Sequence, residues 1–464
     1  MTYAEGPGAP AVSPDPSGFP ADFVWGAATG SYQVEGAVAE DGRLPSIWDT
    51  FSNEPGRVVG GDTGAVTTDH YHRWRDDVAL MGRLGLRAYR FSVAWPRIQP
   101  TGSGPVNAAG LAFYDRLVDE LLAHDVAPWA TLYHWDLPQE LEDRGGWPER
   151  ETALRFAEYS GHVAAALGDR VDHWITVNEP WCSAFLGYAA GIHAPGRSEP
   201  AAAVAAAHHL MLGHGLAVDA VRAVAGRARI GPTVNLYPVR PMPDHPGAVD
   251  AARRIDGLQN RWFLDPMLRG GYPDDVRADL ATVTDFAFER DGDAAVLSRP
   301  VDHLGVNYYS SLVVRPSEFP GSNTMAFVDT GRPRTAMGWD IDKDGLTETL
   351  RRVHNEYGPL PLYVTENGSA FHDVVSPDGR IVDVERRDYL AAHLHACQLA
   401  IEAGVPLAGY FVWSLLDNFE WAEGYRRRFG IVHVDYETQQ RRVKESGAWY
   451  RAFIERHRGG GGRP

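Results

Sequence analysis

Two glutamates, Glu179 and Glu366, each follow a short apolar segment and precede a turn signal. The turn signal is Pro180 after Glu179 and the pair Asn367-Gly368 after Glu366. Two carboxylates that flank a scissile bond are the machinery of glycoside hydrolysis, where one protonates the leaving oxygen and the other attacks the anomeric carbon or activates water. An ion pair with Arg90 or another arginine would explain either glutamate alone.

Hydrogen-bonding and aromatic side chains also stand at the ends of the other strand-like segments. They are Gln33, Glu35, Arg90, His134, Trp135, Asp136, Asn178, Asn235, Asn307, Tyr308, Tyr309, Trp413, Asp417, Asn418, Glu420 and Trp421. Helix capping explains some of the asparagines and aspartates, but it does not explain why an arginine, a histidine, tryptophans and two glutamates also stand at the ends of these segments. Because indole rings also suit the stacking of sugar rings, these residues favour catalysis on a carbohydrate.

Eight short segments rich in β-branched and aromatic residues alternate with longer helical patterns. The predicted strands are Phe23–Gly26, Arg87–Ser92, Ala127–Tyr133, His173–Asn178, Ile230–Asn235, His303–Asn307, Leu362–Thr365 and Leu407–Trp413. The predicted helices are Asp69–Leu84, Ala108–His124, Thr152–Leu167, Ala201–Val224 and Arg386–Ala403. Eight βα units indicate an α/β fold, a single (β/α)8 TIM barrel. A large doubly wound sheet is the alternative, but no glycine-rich phosphate turn supports it.

In such a barrel, the residues that follow the strands meet at the C-terminal face, where barrel enzymes build their sites. Two stretches after strands, Asp41–Thr68 and Ser311–Trp339, are too long for plain loops and predict extended βα loops at this face. Residues 1–17 and 457–464 are rich in small residues or proline and are predicted to be disordered ends. Residues 18–456 are therefore predicted to form one catalytic domain.

The composition limits the classes of binding partner and the cellular compartment that we expect for this protein. With 44 Lys+Arg and 61 Asp+Glu in 464 residues, the formal net charge is −17, which argues against nucleic-acid and anionic-membrane partners. No run approaches a membrane span and the first twenty residues show no secretory signal, so we expect a cytoplasmic protein. Two cysteines, Cys182 and Cys397, cannot build a disulfide framework and fit a reducing compartment. Both are interpreted as buried residues.

Five motifs follow one another along the chain. They read Phe-Val-Trp-Gly-Ala-Ala-Thr-Gly-Ser-Tyr-Gln-Val-Glu-Gly from Phe23, Thr-Val-Asn-Glu-Pro from Thr176, Tyr-Val-Thr-Glu-Asn-Gly from Tyr363, Trp-Ser-Leu-Leu-Asp-Asn-Phe-Glu-Trp from Trp413, and Arg-Phe-Gly-Ile-Val-His-Val-Asp from Arg428. Together they resemble the motifs of glycoside hydrolase family 1, the β-glucosidase family. The resemblance runs from Phe19 to about Tyr450, nearly the whole chain.

The resemblance implies a retaining β-glucosidase that hydrolyses terminal β-D-glucosyl residues through a covalent glycosyl-enzyme intermediate, as in cellulose degradation, with no metal and no cofactor. It implies that Glu179 is the acid/base, that Glu366 is the nucleophile and that Arg90 supports the nucleophile. The implied substrate-binding residues are Gln33, His134, Trp135, Asn178, Asn307, Tyr309, Trp339, Trp413, Glu420 and Trp421. The implied partners are small β-glycosides or short oligosaccharides. Galactosides and fucosides stay open as substrates, and monomer and homo-oligomer both stay open.

Three other functions are alternatives to an active β-glucosidase. A 6-phospho-β-glycosidase resembles this chain overall but has Ser, Lys and Tyr where Glu420, Arg427 and Phe429 stand, and a carboxylate at Glu420 would repel a phosphate. A metal hydrolase would use the two histidines of His70–His72, although positions i and i+2 of a helix point to different faces. A sugar-binding relative without activity would most simply have lost one of the two glutamates, and both are present.

Overall fold

The chain folds into a closed barrel of eight parallel strands, and the computed structural model describes residues 12–317 and 325–460. The strands are β1 Val24–Ala28, β2 Ala88–Ser92, β3 Ala127–Tyr133, β4 His173–Asn178, β5 Arg229–Asn235, β6 Leu304–Asn307, β7 Leu362–Asn367 and β8 Leu407–Trp413. Ala28 of β1 lies opposite both Arg90 of β2 and Trp413 of β8, which closes the ring. The predicted barrel is confirmed, and β3, β4 and β8 have the predicted bounds.

Aromatic rings fill the interior of the barrel. Trp129 is stacked on His173 with ring centroids 4.0 Å apart, and it contacts Tyr363 and Phe411 at 4.7 and 5.0 Å. Gly26 makes room for this packing, because a Cβ there would lie 2.4 Å from the Phe411 ring. The filled interior leaves the C-terminal ends of the strands as the place for a cavity.

Helices surround the barrel. They are Ser31–Val34, Ile47–Asn53, His70–Arg83, Trp95–Ile98, Ala108–Ala123, Gln139–Glu142, Arg150–Leu167, Pro200–Val224, Ala248–Asp256, Trp262–Arg269, Asp274–Leu280, Asp293–Leu297, Lys343–Tyr357, Val384–Glu402 and Glu445–Gly460. Among the described residues, only Pro200–Val224 is long and apolar enough to suit a membrane span, with a mean hydropathy of 1.3. That helix packs against Arg150–Leu167, and 78% of its apolar stretch is buried inside the molecule.

The two long stretches after β1 and β6 contain structure of their own. The first includes the helix Ile47–Asn53, where Ser46 and Asp49 form a capping box. The second was predicted as an extended loop, but it contains the strands Leu312–Pro316 and Met325–Phe327, which form a small sheet with Val239–Pro241. A hairpin of Val432–Val434 and Arg441–Val443 follows β8. Residues 318–324 of the second stretch lie outside the described residues.

Parts of both ends that were predicted to be disordered have defined structure. The side chain of Asp15 accepts a hydrogen bond from Ser17 N–H and begins a 3-10 turn, while its own N–H donates to Gln398 Oε1 at 3.1 Å. The last helix continues through His457 to Gly460, and Trp25 Nε1–H donates to His457 Nδ1 at 3.1 Å. These long-range contacts could not be read from local composition. Residues 1–11 and 461–464 lie outside the described residues.

Candidate active site

A cavity of about 390 Å³ opens at the C-terminal ends of the strands. Ten of the predicted site residues line it: His134, Trp135, Asn178, Glu179, Tyr309, Trp339, Glu366, Trp413, Glu420 and Trp421. The other three, Gln33, Arg90 and Asn307, are buried beside the lining. Arg90 and Asn307 donate to Glu366 and Glu179, and Gln33 donates to the carbonyl of Phe419, which precedes Glu420. The structure therefore brings all of the predicted residues to one place.

Polar side chains connect the two glutamates. Arg90 donates through Nη1 to Glu366 Oε1 at 2.5 Å and through Nη2 to Asn178 Oδ1 at 2.6 Å. Asn307 Nδ2 donates to the same Asn178 oxygen at 3.1 Å and to Glu179 Oε1 at 2.7 Å. A continuous hydrogen-bond network thus fixes both carboxyl groups relative to each other.

The two glutamates have different hydrogen-bond donors. Glu366 accepts from the Arg90 guanidinium and, at 2.6 Å, from the Tyr309 hydroxyl, so a cation and a neutral donor hold its two oxygens. Glu179 accepts from the Asn307 amide and, at 3.1 Å, from the Cys182 thiol. Because charge-assisted contacts favour a carboxylate anion, the surroundings of Glu366 suit the ionised form better than those of Glu179.

The backbone near both glutamates departs from regular strand geometry. The register between β4 and β5 shifts between Ile175 and Asn178, and the register between β6 and β7 shifts between Val364 and Glu366. Glu179 itself has a φ of 48°, and its N–H donates to the Thr233 carbonyl at 2.9 Å. Such irregularities re-aim side chains at strand ends, and they are concentrated here at the two carboxyl groups.

Burial and repulsion between carboxylates favour neutral acids in the cavity. Burial, followed by the negative charge of Glu366, raises the pKa of Glu179 above its ordinary value. Burial, followed by Glu366 and Glu179, raises the pKa of Glu420 to about 8. Burial, followed by the charge of Arg90, holds the pKa of His134 well below its ordinary value, so this ring is neutral. The cavity can therefore supply a carboxylic acid at neutral pH.

Among the described residues, several buried polar atoms beside the cavity have no hydrogen-bond partner, and three of them belong to predicted sugar-binding residues: Gln33 Oε1, His134 Nδ1 and Glu420 Oε2. Gln33 is fixed by its Nε2, which donates to Asn418 Oδ1 at 3.2 Å and to the Phe419 carbonyl at 3.0 Å. A buried polar atom without a partner costs about 1–3 kcal/mol. These atoms are therefore suited to the hydroxyl groups of a bound molecule.

Aromatic rings supply flat apolar surfaces in the same cavity. Trp413 is stacked with His134 at a centroid distance of 5.8 Å and an interplanar angle of 16°. Trp421 contacts Trp135 at 4.5 Å, and Trp339 contacts Tyr309 at 5.3 Å. Apolar ring faces next to hydrogen-bonding groups are the combination that a sugar ring requires, since its faces are apolar and its rim is polar.

The cavity is also lined by residues that the sequence did not single out for binding. They are Trp181, Cys182, Leu186, Ile192, His193, Tyr237, Met337, Ala422, Glu423 and Phe429. Trp181 and Cys182 directly follow Asn-Glu-Pro, so nearness to that motif was a usable signal. The interpretation of Cys182 as buried is confirmed, but its thiol also contacts Glu179. Most of the others lie on loops whose paths the sequence pattern does not give.

The two histidines of the His70–His72 motif point apart. His70 is buried with Nδ1 2.8 Å from Asp77 Oδ2, whereas His72 is half-exposed and pairs with Asp69 and Glu40 at 2.6 and 3.1 Å. Within residues 12–317 and 325–460, no group of three or more His, Cys, Asp and Glu side chains could hold a metal ion. Both histidines therefore belong to separate pairs with carboxylates.

The family model described as glycosyl hydrolase family 1 matches residues 16–459. The chain belongs to glycosyl hydrolase family 1. The predicted family and enzyme class, a hydrolase of O-glycosyl bonds, are thereby confirmed. The match covers both glutamates and nearly all of the described residues.

Individual relatives cover nearly the whole chain. The "Bifunctional beta-D-glucosidase/beta-D-fucosidase" of Bifidobacterium breve is 50% identical over 460 residues, which cover 95% of this chain and 98% of the relative. The "Thermostable beta-glucosidase B" of Thermobispora bispora is 52% identical over 445 residues, or 95% and 91% of the two chains. The solved structure of a family 1 β-glucosidase from Thermotoga maritima has a TM-score of 0.92 at 46% identity, and covers 95% of this chain and 98% of its own.

Proposed function

We propose that this family 1 hydrolase is a retaining β-glucosidase that releases terminal, unphosphorylated β-D-glucosyl residues. The observation that carries the proposal is that two buried glutamates in one cavity have opposite surroundings. Glu366 is held by a guanidinium and a hydroxyl. Glu179 is driven towards its neutral form by burial and by Glu366, which raise its pKa. That division matches the needs of a nucleophile and a general acid.

In the first step, a carboxylate oxygen of Glu366 attacks the anomeric carbon while the bond from that carbon to the leaving oxygen breaks. Glu179 transfers its proton to the leaving oxygen, so that a neutral alcohol departs. Arg90 and Tyr309 keep Glu366 in place before the attack. Once Glu366 has formed the ester bond it carries no charge, so its repulsion with Glu179 and Glu420 is removed.

In the second step, water replaces Glu366 at the anomeric carbon. Because esterified Glu366 carries no charge, one cause of the raised pKa of Glu179 is removed, and Glu179 is left as a carboxylate. It accepts a proton from the attacking water, the ester bond to Glu366 breaks, and both residues return to their starting forms. Two inversions at one carbon give net retention.

The side chains around the sugar position support an unphosphorylated glycone. Gln33 and Glu420 offer acceptor oxygens to sugar hydroxyls, and His134 adds a neutral ring. Trp413 supplies a flat face beside them. Since one relative is named for both β-glucosidase and β-fucosidase activity, we include β-fucosides as secondary substrates, with β-galactosides next.

A phosphate on the sugar is disfavoured by the side chains at the same position. Glu420 is a buried acid in the cavity wall, and Glu423 adds a second carboxylate. Arg427 is already paired, since its Nε lies 2.9 Å from Glu423 Oε2. Phe429 lines the cavity with an apolar ring. A 6-phosphate would therefore meet a buried acid, arginines that are already paired with Glu423, and an apolar surface.

The test is the hydrolysis of an aryl β-glucoside, followed by proton NMR to identify the anomer that forms first. We expect β-glucose, because two successive displacements at the anomeric carbon retain its β configuration. First-formed α-glucose would contradict the assignment of Glu366 as nucleophile. The matched control is the same aryl glucoside with a 6-phosphate group, which should be hydrolysed far more slowly. Faster hydrolysis of the phosphorylated compound would overturn the choice of an unphosphorylated sugar.

A further inference from the structure

The carboxyl group of Glu179 receives one hydrogen-bond donor on each oxygen. Asn307 Nδ2 donates to Oε1 at 2.7 Å, and the thiol of Cys182 donates to Oε2 at 3.1 Å. We propose that Cys182 is a positioning residue whose thiol holds Glu179 so that Oε2 delivers the proton to the leaving oxygen. This inference rests on the proposed acid/base role of Glu179.

The fold places the thiol at this carboxyl group. Cys182 begins a π-helix, Cys182–Ala189, and its backbone N–H donates to the Glu179 carbonyl at 3.0 Å, so the chain turns back on itself. The amide of Asn235 donates to Sγ from 3.5 Å, which occupies the acceptor side of the sulfur. The S–H bond is then left to point at Glu179 Oε2.

The surroundings of Cys182 keep its thiol protonated, so that it can donate a hydrogen bond. Burial, followed by the charge of Glu179, raises the pKa of Cys182 well above its ordinary value. A thiolate nucleophile is therefore excluded, because an uncharged thiol beside a carboxyl group is a poor nucleophile. What remains is a weak, permanent hydrogen bond to the carboxyl group.

The contact favours the first chemical step. Because the Asn307 amide N–H occupies Oε1, the acidic proton of neutral Glu179 belongs on Oε2. While Oε2 carries that proton, it is a weak acceptor for the thiol. When the proton moves to the leaving oxygen, Oε2 becomes anionic and the S–H···O contact becomes charge-assisted. The hydrogen bond is thus stronger after proton transfer than before it, which is the requirement for lowering the barrier.

Other groups around Glu179 also influence whether its carboxyl group is charged. Glu366 and Glu420 repel the carboxylate form, and Arg90 attracts it. The hydroxyls of Tyr237 and Tyr309 stay neutral, since burial raises the pKa of each well above its ordinary value. Cys182 differs from the charged groups because replacing it changes the hydrogen bonds of one thiol, to Glu179 and from Asn235, without changing the charge of the cavity.

The experiment compares Cys182→Val, which keeps the size without a donor, with Cys182→Ser, which keeps a donor. Two substrates are used: phenyl β-glucoside, whose leaving group needs a proton, and dinitrophenyl β-glucoside, whose leaving group does not. For Cys182→Val we expect kcat/KM to fall about 5-fold on the phenyl compound, as for one lost hydrogen bond. On the dinitrophenyl compound we expect a change of less than about 2-fold, because the missing contact acts only through the proton.

The pH profile adds a readout that a purely structural role would not move. Loss of the thiol removes a contact that lowers the pKa of Glu179, so the alkaline limb of kcat/KM for Cys182→Val should move to higher pH. Cys182→Ser should restore both the phenyl activity and the position of that limb. The control is Cys397→Ser, which removes the other buried thiol within the helix Val384–Glu402 and should change neither.

The outcomes separate this proposal from the function on which it rests. Equal losses on both substrates, or an unmoved pH profile in Cys182→Val, would overturn the role of Cys182. Glu179→Gln serves as the reference, since it should lose far more on the phenyl than on the dinitrophenyl compound. If Glu179→Gln shows no such difference, the acid role fails and this proposal fails with it. If Glu179→Gln shows this difference between the two substrates and Cys182→Val does not, the acid role of Glu179 stands and only the positioning role of Cys182 is wrong.

Discussion

Glu420 and Asp417 lie in the same loop after β8, yet they belong to buried clusters of different charge. Asp417 belongs to a balanced cluster, in which Asp373, Asp383 and Asp417 face Arg386, Arg428 and Lys444. Glu420 belongs to the cavity cluster, in which Glu179, Glu366 and Glu420 crowd together. Among the described residues, Arg90 is the cation in ion-pair contact with the cavity cluster.

The pKa of Asp417 in the balanced cluster and the pKa values of Glu179 and Glu420 in the cavity cluster are shifted in opposite directions. Burial alone would raise the pKa of Asp417, but Lys444, Arg428 and Arg386 outweigh it, so this pKa lies below its ordinary value. Burial and like charges together raise the pKa of Glu179 and Glu420. The balanced cluster, with equal numbers of acids and bases, therefore suits a structural role. The cavity cluster, with an excess of acids, contains groups that can give up or accept protons.

The strongest test of this contrast is Glu366→Gln. We expect hydrolysis to fall about 10⁴-fold or more, because an amide cannot form the glycosyl ester. Sugar affinity should be largely retained, since Gln33, His134 and Glu420 are unchanged. The melting temperature should fall little, because loss of this charge also removes repulsion in the cavity cluster. Activity assays, calorimetric titration with a glucoside and thermal unfolding check the three expectations.

The matched control for Glu366→Gln is Asp373→Asn in the balanced cluster. It neutralises a buried acid without touching the cavity, so it should lower stability and leave catalysis of the folded enzyme nearly unchanged. Near-normal turnover by Glu366→Gln would overturn the nucleophile assignment. A loss of turnover in Asp373→Asn as large as in Glu366→Gln would show that the two clusters do not divide structure from chemistry.

The next test asks whether pairing in the balanced cluster contributes stability. Lys444 is fully buried between Asp373 and Asp417, at 2.6 Å from Asp417 Oδ1. Lys444→Met leaves two buried carboxylates short of a partner and should lower the free energy of unfolding by about 3–5 kcal/mol. Lys343→Met is the control, because Lys343 pairs with Asp344 at the surface and such a pair contributes about 0–1 kcal/mol.

Denaturant midpoints of the two lysine variants, measured side by side, give the comparison. A small effect in Lys444→Met, equal to that of Lys343→Met, would mean that burial of the balanced cluster costs as much as its ion pairs contribute. Its stabilising role would then be wrong, although the contacts themselves would stand.

The parts of the molecule that follow strands were predictable from sequence. Glu179 comes directly after β4 and Glu366 lies at the end of β7, so the barrel alone sends both side chains to one face. His134 and Trp413 are predictable for the same reason, because a strand's end is fixed once the strand is recognised. Periodicity and turn residues carry this information locally.

The parts that depend on long-range packing were not predictable. Cys182 reaches Glu179 only because a π-helix follows the strand, and no local pattern distinguishes that helix from an ordinary one. Met337 and Phe429 line the cavity from loops without periodicity. Lys444 meets Asp373 across 71 residues of chain, so the balanced cluster is visible only after folding.

The smallest effect expected from the two clusters is an opposite dependence of stability on pH. Because the pKa of folded Glu420 is raised to about 8, folded enzyme holds a proton there that the unfolded chain releases above its ordinary pKa. Stability is therefore lost as pH rises through that window. Asp417, with a lowered pKa, contributes stability at neutral pH that is lost as pH falls.

Glu420→Gln should therefore match the parent near pH 5 and exceed it in stability near pH 9, by roughly 2 kcal/mol or more. Asp417→Asn should show the reverse trend, with its largest deficit at neutral pH and a smaller one in acid. Thermal unfolding across this range, on both variants and the parent, makes the measurement. A gain in Glu420→Gln that stays constant with pH would mean that the Glu420 charge is accommodated in the folded cavity. The cavity cluster would then be no more strained by ionisation than the balanced cluster, because repulsion between carboxylates is the physical cause of the expected trend.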